Sequence, residues 1–232
     1  MKTWRPRPAA VSTSALAAMG ISAVAGCATP GTRPHDMSVA GHEAAAANTE
    51  AAARTAGSQP PSSTGTACQD VPCWSDRDRP TDASRRLLAV AAKHRAAAQA
   101  LREAEAQACA GISERDRGIS PFFHREDVAV VAPLEEKQGR YGHRLAGATI
   151  EFRAVHGLTA EWLQRSVDCH LARSAALGFD QSEMGFCPLA LKGVAAKVRS
   201  GGKWFLVQVT SQDPATAAEV WRRAQALMVT AR

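Results

Sequence analysis

The sequence predicts an α+β protein: a weakly structured N-terminal stretch, one long helix, then a small β-α-β-β-α domain. Three observations predict it. Apolar and polar residues alternate at Gly147–Ala154, 194–198 and 205–209, the period of half-buried strands. Apolar residues recur at helical spacing over 82–110, after Thr159 and after Asp213. Residues 28–80 are rich in Ala, Gly, Pro, Ser and Thr and bury too little apolar surface to offset ordering entropy.

Residues 1–26 open on the basic run Met1-Lys2-Thr3-Trp4-Arg5-Pro6-Arg7, followed by small and apolar residues from Ala9 to Gly26. That is the charge and hydropathy order of a secretory signal peptide. The apolar run is short and broken by Ser12, Thr13, Ser14 and Gly20, so it does not suit a bilayer span. It ends in Val24-Ala25-Gly26-Cys27, which resembles the lipobox of bacterial lipoproteins. The resemblance implies a lipid on the Cys27 thiol, cleavage before Cys27 and acylation of the new amine, for instance by palmitate. It implies a membrane-anchored chain on the periplasmic side, and Ala28 in place of Asp favours the outer membrane of a Gram-negative cell. Two or three acyl chains hold where one binds only reversibly. The other reading is an ordinary secreted chain in which Cys27 is an unrelated thiol.

The whole chain has 28 basic and 22 acidic residues, but the leader carries three of the former and none of the latter. The mature excess therefore falls from +6 to +3. With few aromatics and no Lys/Arg block, nucleic acid is not an expected partner. From the lipidated Cys27 to residue 80 a tether is expected, its ~50 residues reaching about 40 Å root-mean-square as a coil. Ser38 is placed to cap a weak helix through Ala56, interrupted by Gly41 and Asn48.

Over 81–111 the long helix carries the stripe Leu87, Leu88, Ala91, Ala98, Leu101 and Ala108, capped by Thr81 or Asp82, with Gly111 past its end. An Ala-rich stripe invites close packing, so a homodimer through this helix is one expectation. Residues 112–146 read as a loop-rich connector in which Val128-Ala129-Val130-Val131 is a short apolar run ended by Pro133.

The domain 147–232 begins with a strand. Thr159 then caps a helix whose buried face is Leu163, Val167 and Leu171, with Leu158 and Leu163 as a hydrophobic staple. Val194, Ala196 and Val198 make a second strand, Gly201-Gly202 the turn, and Phe205, Val207 and Val209 a third. Asp213 caps and Pro214 opens a final helix facing inward through Val220, Ala224 and Leu227. This order resembles half of a ferredoxin-like fold and so, in topology, the heavy-metal-associated domains. Those carry Cys-x-x-Cys after the first strand, whereas Ala154-Val155-His156-Gly157-Leu158 stands here. The departure leaves no metal ligand to carry over.

Five cysteines follow Cys27, an odd number in a compartment where disulfides are the default. Cys169 and Cys187 are expected to pair, pinning the loop between them, with Cys68 and Cys73 closing a small loop and Cys109 left over. Two metal readings stand beside this: Cys169, His170 and Cys187 as a soft site for zinc or copper, and His35, Met37 and His42 as a copper site near the lipid. Otherwise no cofactor is expected. Phe122-Phe123-His124 is either a docking patch for an envelope protein partner or a plug joining the long helix to the sheet. No nucleophile-elbow, phosphate-loop, zincin or dinucleotide motif occurs, so binding or envelope maintenance is expected rather than catalysis.

Overall fold

A computed structural model describes residues 29–58, 80–140, 142–179 and 184–228. The expectations for the leader, for Cys27 and for the Cys68–Cys73 loop lie outside the described residues. Four strands, β1 (Val128–Gln138), β2 (Gly142–Arg153), β3 (Val194–Ser200) and β4 (Trp204–Ser211), form one antiparallel sheet in the order β1-β2-β4-β3. Ala148, Ile150 and Phe152 of β2 share a buried face with Phe205, Val207 and Val209 of β4, as period-two alternation requires. At Gly147 (φ +149°) an added Cβ would sit 2.0 Å from the Val209 carbonyl oxygen. The two strands can approach there only because the side chain is missing.

β1 corrects the expectation of a loop-rich connector. Pro133 does not end the apolar run but lies inside the strand, paired with Ala148. β1 is an edge strand, where half of the N–H groups face away from the ladder and a proline is tolerated.

Helices α4 (Ala160–Ala176) and α5 (Pro214–Met228) cover the apolar face of the sheet. α4 starts where a cap permits: the Thr159 hydroxyl accepts from Trp162 N at 3.1 Å. Thr159→Ala is expected to cost about 1 kcal/mol, read as a lower urea midpoint at unchanged slope; an unchanged midpoint would mean that another group satisfies that amide. α5 starts in the same way, with Asp213 Oδ2 accepting from Thr216 N at 2.7 Å, and buries Val220, Ala224 and Leu227. On β3, Val198 N donates to Gln164 Oε1 of α4 at 2.6 Å, while Gln164 Nε2 donates to the Ala196 carbonyl at 3.4 Å. A side chain thereby takes the place of a further strand along the edge of β3.

The second correction concerns the tether. Residues Val39–Ser58 form helix α1, packed against α2 (Pro80–Ala108). Small side chains explain it: Ala46 and Ala53 of α1 and Ala91, Ala97 and Ala98 of α2 are buried, so the two backbones lie close. Neither helix needs strong intrinsic propensity once its stripe is packed. Ion pairs Glu43–Arg102 and Glu50–Arg95 flank the contact. α2 in turn packs on α4, where Leu101 is buried with Ala175 and Ala176 and Arg173 Nη1 donates to Glu105 Oε1 at 2.9 Å. The stripe expected to pair with a second copy is thus covered by α1 and α4 of the same chain, while Leu88 is half exposed. Between α2 and β1 come the short helix α3 (Glu114–Arg117) and a 3-10 turn at Arg125–Asp127. Among the described residues no helix is long and apolar enough to cross a membrane.

Candidate functional site

The cysteines are arranged differently from the expected pairing. Cys109, just after α2, is bonded to Cys169 in α4 with Cα atoms 4.5 Å apart, and Cys187 is free and buried. The reason lies in helix geometry. Cys169 and His170 are successive residues, about 100° apart around the helix, so Cys169 faces α2 and His170 faces the loop holding Cys187. The soft-metal set Cys169, His170 and Cys187 therefore loses a thiolate to a disulfide.

What gathers around Cys187 is a neutral cluster. Its Sγ lies 3.3 Å from His170 Nε2, and Ser120 Oγ donates to it at 3.2 Å. Arg223 Nη1 donates to the Cys187 carbonyl at 3.1 Å. Burial, with Arg173 adding to it, holds His170 down at about 4, and burial pushes the Cys187 thiol up. Both partners of the Cys187–His170 contact are therefore neutral. A thiol and an imidazole in contact resemble a nucleophile and its base, but an activated cysteine needs a lowered pKa and access, and Cys187 has neither. Its work is to fasten the 187–190 loop to α4.

The accessible candidate is a groove of about 440 Å³ between the α3–β1 connection, the loop after β2 and the first turn of α4. Phe152, Leu158 and Leu163 contribute to its apolar wall, and Asp116, Asp127, His124, Arg153 and His156 are polar members of its lining. Three of its apolar members, Ile119, Val155 and Trp162, are 41%, 45% and 46% exposed, and Phe123 beside it is 62% exposed. The Phe122-Phe123-His124 motif divides accordingly. Phe122 is fully buried, its ring 5.5 Å from that of Phe152, and plugs the core. Phe123 and His124 stay outside, in edge-to-face contact at 5.4 Å, with His124 Nδ1 3.0 Å from Glu126 Oε1. The Glu126 carboxyl is lowered by its backbone hydrogen bond and then by His124.

The third sequence-derived group, His35, Met37 and His42, is also divided. His35 and Met37 are exposed, whereas His42 is fully buried with both ring nitrogens in contact, one with His94 and one with the Pro34 carbonyl. His94 went unnoticed in the sequence. Its position three after Ala91 and four before Ala98 placed it on the α2 stripe, a signal that was present. Among the described residues no group of three His, Cys, Asp or Glu side chains is arranged to hold a metal ion.

No protein-family profile, no curated protein and no solved structure matches this chain.

Proposed function

We propose that the chain is a lipid-anchored module of a bacterial envelope that docks a partner protein through the groove beside Trp162. Three features support this reading. Val24-Ala25-Gly26-Cys27 resembles a lipobox, and a disulfide joins α2 to α4, as suits an exported chain. The third carries the reading: Ile119, Val155 and Trp162, three of the large apolar side chains left in solvent, line one groove, with the exposed Phe123 next in sequence to its lining residue His124. Scattered exposed apolar residues are ordinary, whereas a cluster with a polar rim is the pattern of an interaction site. The partner chemistry that fits is a segment offering an apolar anchor, with polar groups toward Asp116, His124 and His156. In topology, we read the sheet as ferredoxin-like with its edge strand β1 supplied from the N-terminal side.

Two measurements test the two halves. Fatty-acid labelling and membrane retention are expected for the native chain and lost on Cys27→Ser; retention without label would overturn the anchor. A photo-crosslinking residue at position 123 is expected to trap one envelope protein that the same residue at Arg199, on β3, does not. That protein, purified, should bind at least about tenfold more weakly to Trp162→Ala, since truncating a buried aromatic anchor costs upward of about 1 kcal/mol. Equal trapping at both positions, or unchanged affinity, would remove the groove from the proposal.

A further inference from the structure

Away from the groove, a buried polar contact joins α1 to α2. His42 Nδ1 and His94 Nδ1 lie 3.0 Å apart, the first ring fully buried and the second 6% exposed. His42 Nε2 faces the Pro34 carbonyl at 3.2 Å. A carbonyl only accepts, so that nitrogen carries the proton and His42 Nδ1 is a lone pair. His94 Nδ1 must then donate, and the contact holds one proton between two nitrogens. A further proton on His94 places a charge inside a helix interface. A second, on His42 Nδ1, sets N–H against N–H.

We propose that this pair is a pH-operated latch: acidification breaks the His42–His94 contact and releases α1 from α2 while the sheet and its two helices stay folded. The surroundings give a new charge little help. Of the charged groups around the contact, Glu43 and Glu50 of α1 pair with Arg102 and Arg95 of α2. In the turn before α1, Asp36 Oδ2 accepts from Arg33 N at 3.0 Å and His35 is exposed. Lys93 of α2 donates to Thr29 Oγ1 at 2.9 Å, and on the α4 side Arg173 pairs with Glu105. Each of these carboxylates already has a partner, and the remaining groups are cationic or distant in role. The imidazole of His94 is accordingly held below its ordinary range, by burial first and by His42 second. A group neutral in the docked state and free to take a proton when released stabilises docking above about pH 6.5, and that stabilisation is lost as pH falls below it.

Release is local because, beside the imidazole, α1 is held by small side chains: Ala46 and Ala53 on α2 and the half-buried Val39 against Leu101. Its buried residues are His42, Ala46 and Ala53, so the imidazole is the largest side chain it buries. The flanking ion pairs are solvent-exposed and contribute little. Two nitrogens with no third ligand do not make a site for a divalent ion, so the proton is the species the contact is built to sense. On the reading that Cys27 carries lipid, release adds the 20 residues of α1 to the span between anchor and domain. The test does not depend on that reading.

Hydrogen exchange of the full chain carrying Cys27→Ala, corrected for intrinsic rates, is compared at pH 7.5 and 5.0. Protection over 39–58 is expected to fall at least about tenfold by local opening, while β2 and β4 stay far better protected than 39–58 at both pH values. The doubly substituted chain, His42→Gln/His94→Gln, which keeps hydrogen-bonding groups but does not titrate at the contact, should show the same protection over 39–58 at both pH values. Unchanged protection in the native chain, or an equal loss in the doubly substituted chain, overturns the latch. If the doubly substituted chain fails to dock α1 at pH 7.5, ring-proton NMR of the native chain decides. A His94 midpoint displaced below that of a free imidazole supports the latch; an undisplaced one overturns it.

Discussion

Removing the Cys109–Cys169 bond is expected to cost about 4 kcal/mol of stability, the largest effect of any change argued for this chain. The bond closes a loop of 60 residues, and tying off a loop of that length restricts the unfolded chain by about 4 kcal/mol. The folded side adds to the loss. Cys109 and Cys169 are buried with Ile112, so truncating them also loosens the packing that orients the end of α2 on α4. For a described region of this size the loss corresponds to a drop of roughly 10 °C in Tm. Both sulfurs are shielded, so the direct comparison is the native chain against Cys109→Ala/Cys169→Ala, unfolded in urea and followed by circular dichroism. A loss below about 1 kcal/mol would mean that the unfolded chain already holds α2 near α4, and that the bond records the compartment without stabilising the fold.

How much of this was readable in advance divides along a physical line. Elements whose reasons are local were legible. Thr159 and Asp213 accept the amides that helix caps must satisfy, and the strands around Ile150 and Val207 alternate as half-buried strands do. Elements that exist only through a distant partner were not. α1 reads only as a weak helix within a tether, capped by Ser38 as observed, because it buries alanines, and only the matching alanines of α2 make it a continuous packed helix. β1 runs through Pro133, which a sequence reading takes as a stop and an edge strand tolerates. The disulfide was misassigned because spacing along the chain favours Cys187, while the turn of α4 points Cys169 at α2. For the candidate site, Phe123 and His124 were flagged, but Ile119, Val155 and Trp162 were not. A groove formed by α3, β2 and α4 joins residues tens of positions apart, and no local pattern marks them.

Acidification from pH 6.5 to 4 is expected to lower the stability of the sheet domain by about 3 kcal/mol through His170. Its imidazole is neutral in the fold, held down at about 4, and regains an ordinary value near 6.5 when the chain unfolds. Between those values the unfolded chain binds the extra proton, so unfolding is favoured more with each step downward; above 6.5 the contribution is complete, and below 4 it is gone. Two and a half pH units at about 1.4 kcal/mol each give the figure. The carboxylates act elsewhere on the scale. Glu219, held down at about 2 by hydrogen bonds from Arg222 and then Arg223, and Asp213, lowered by its cap bonds to Thr216, withdraw their support only below about pH 4.5. The upper part of the acid limb therefore belongs to histidine. His170→Gln, whose side-chain amide can still hydrogen-bond to Cys187, should flatten that limb while leaving the fall below pH 4.5 intact. Tryptophan fluorescence in urea at half-unit steps, in a background carrying Trp4→Phe and Trp74→Phe so that Trp162, Trp204 and Trp221 of the sheet domain report, reads it. An acid limb of equal depth in the variant would place the proton on another group and leave the Cys187–His170 contact with a packing role alone.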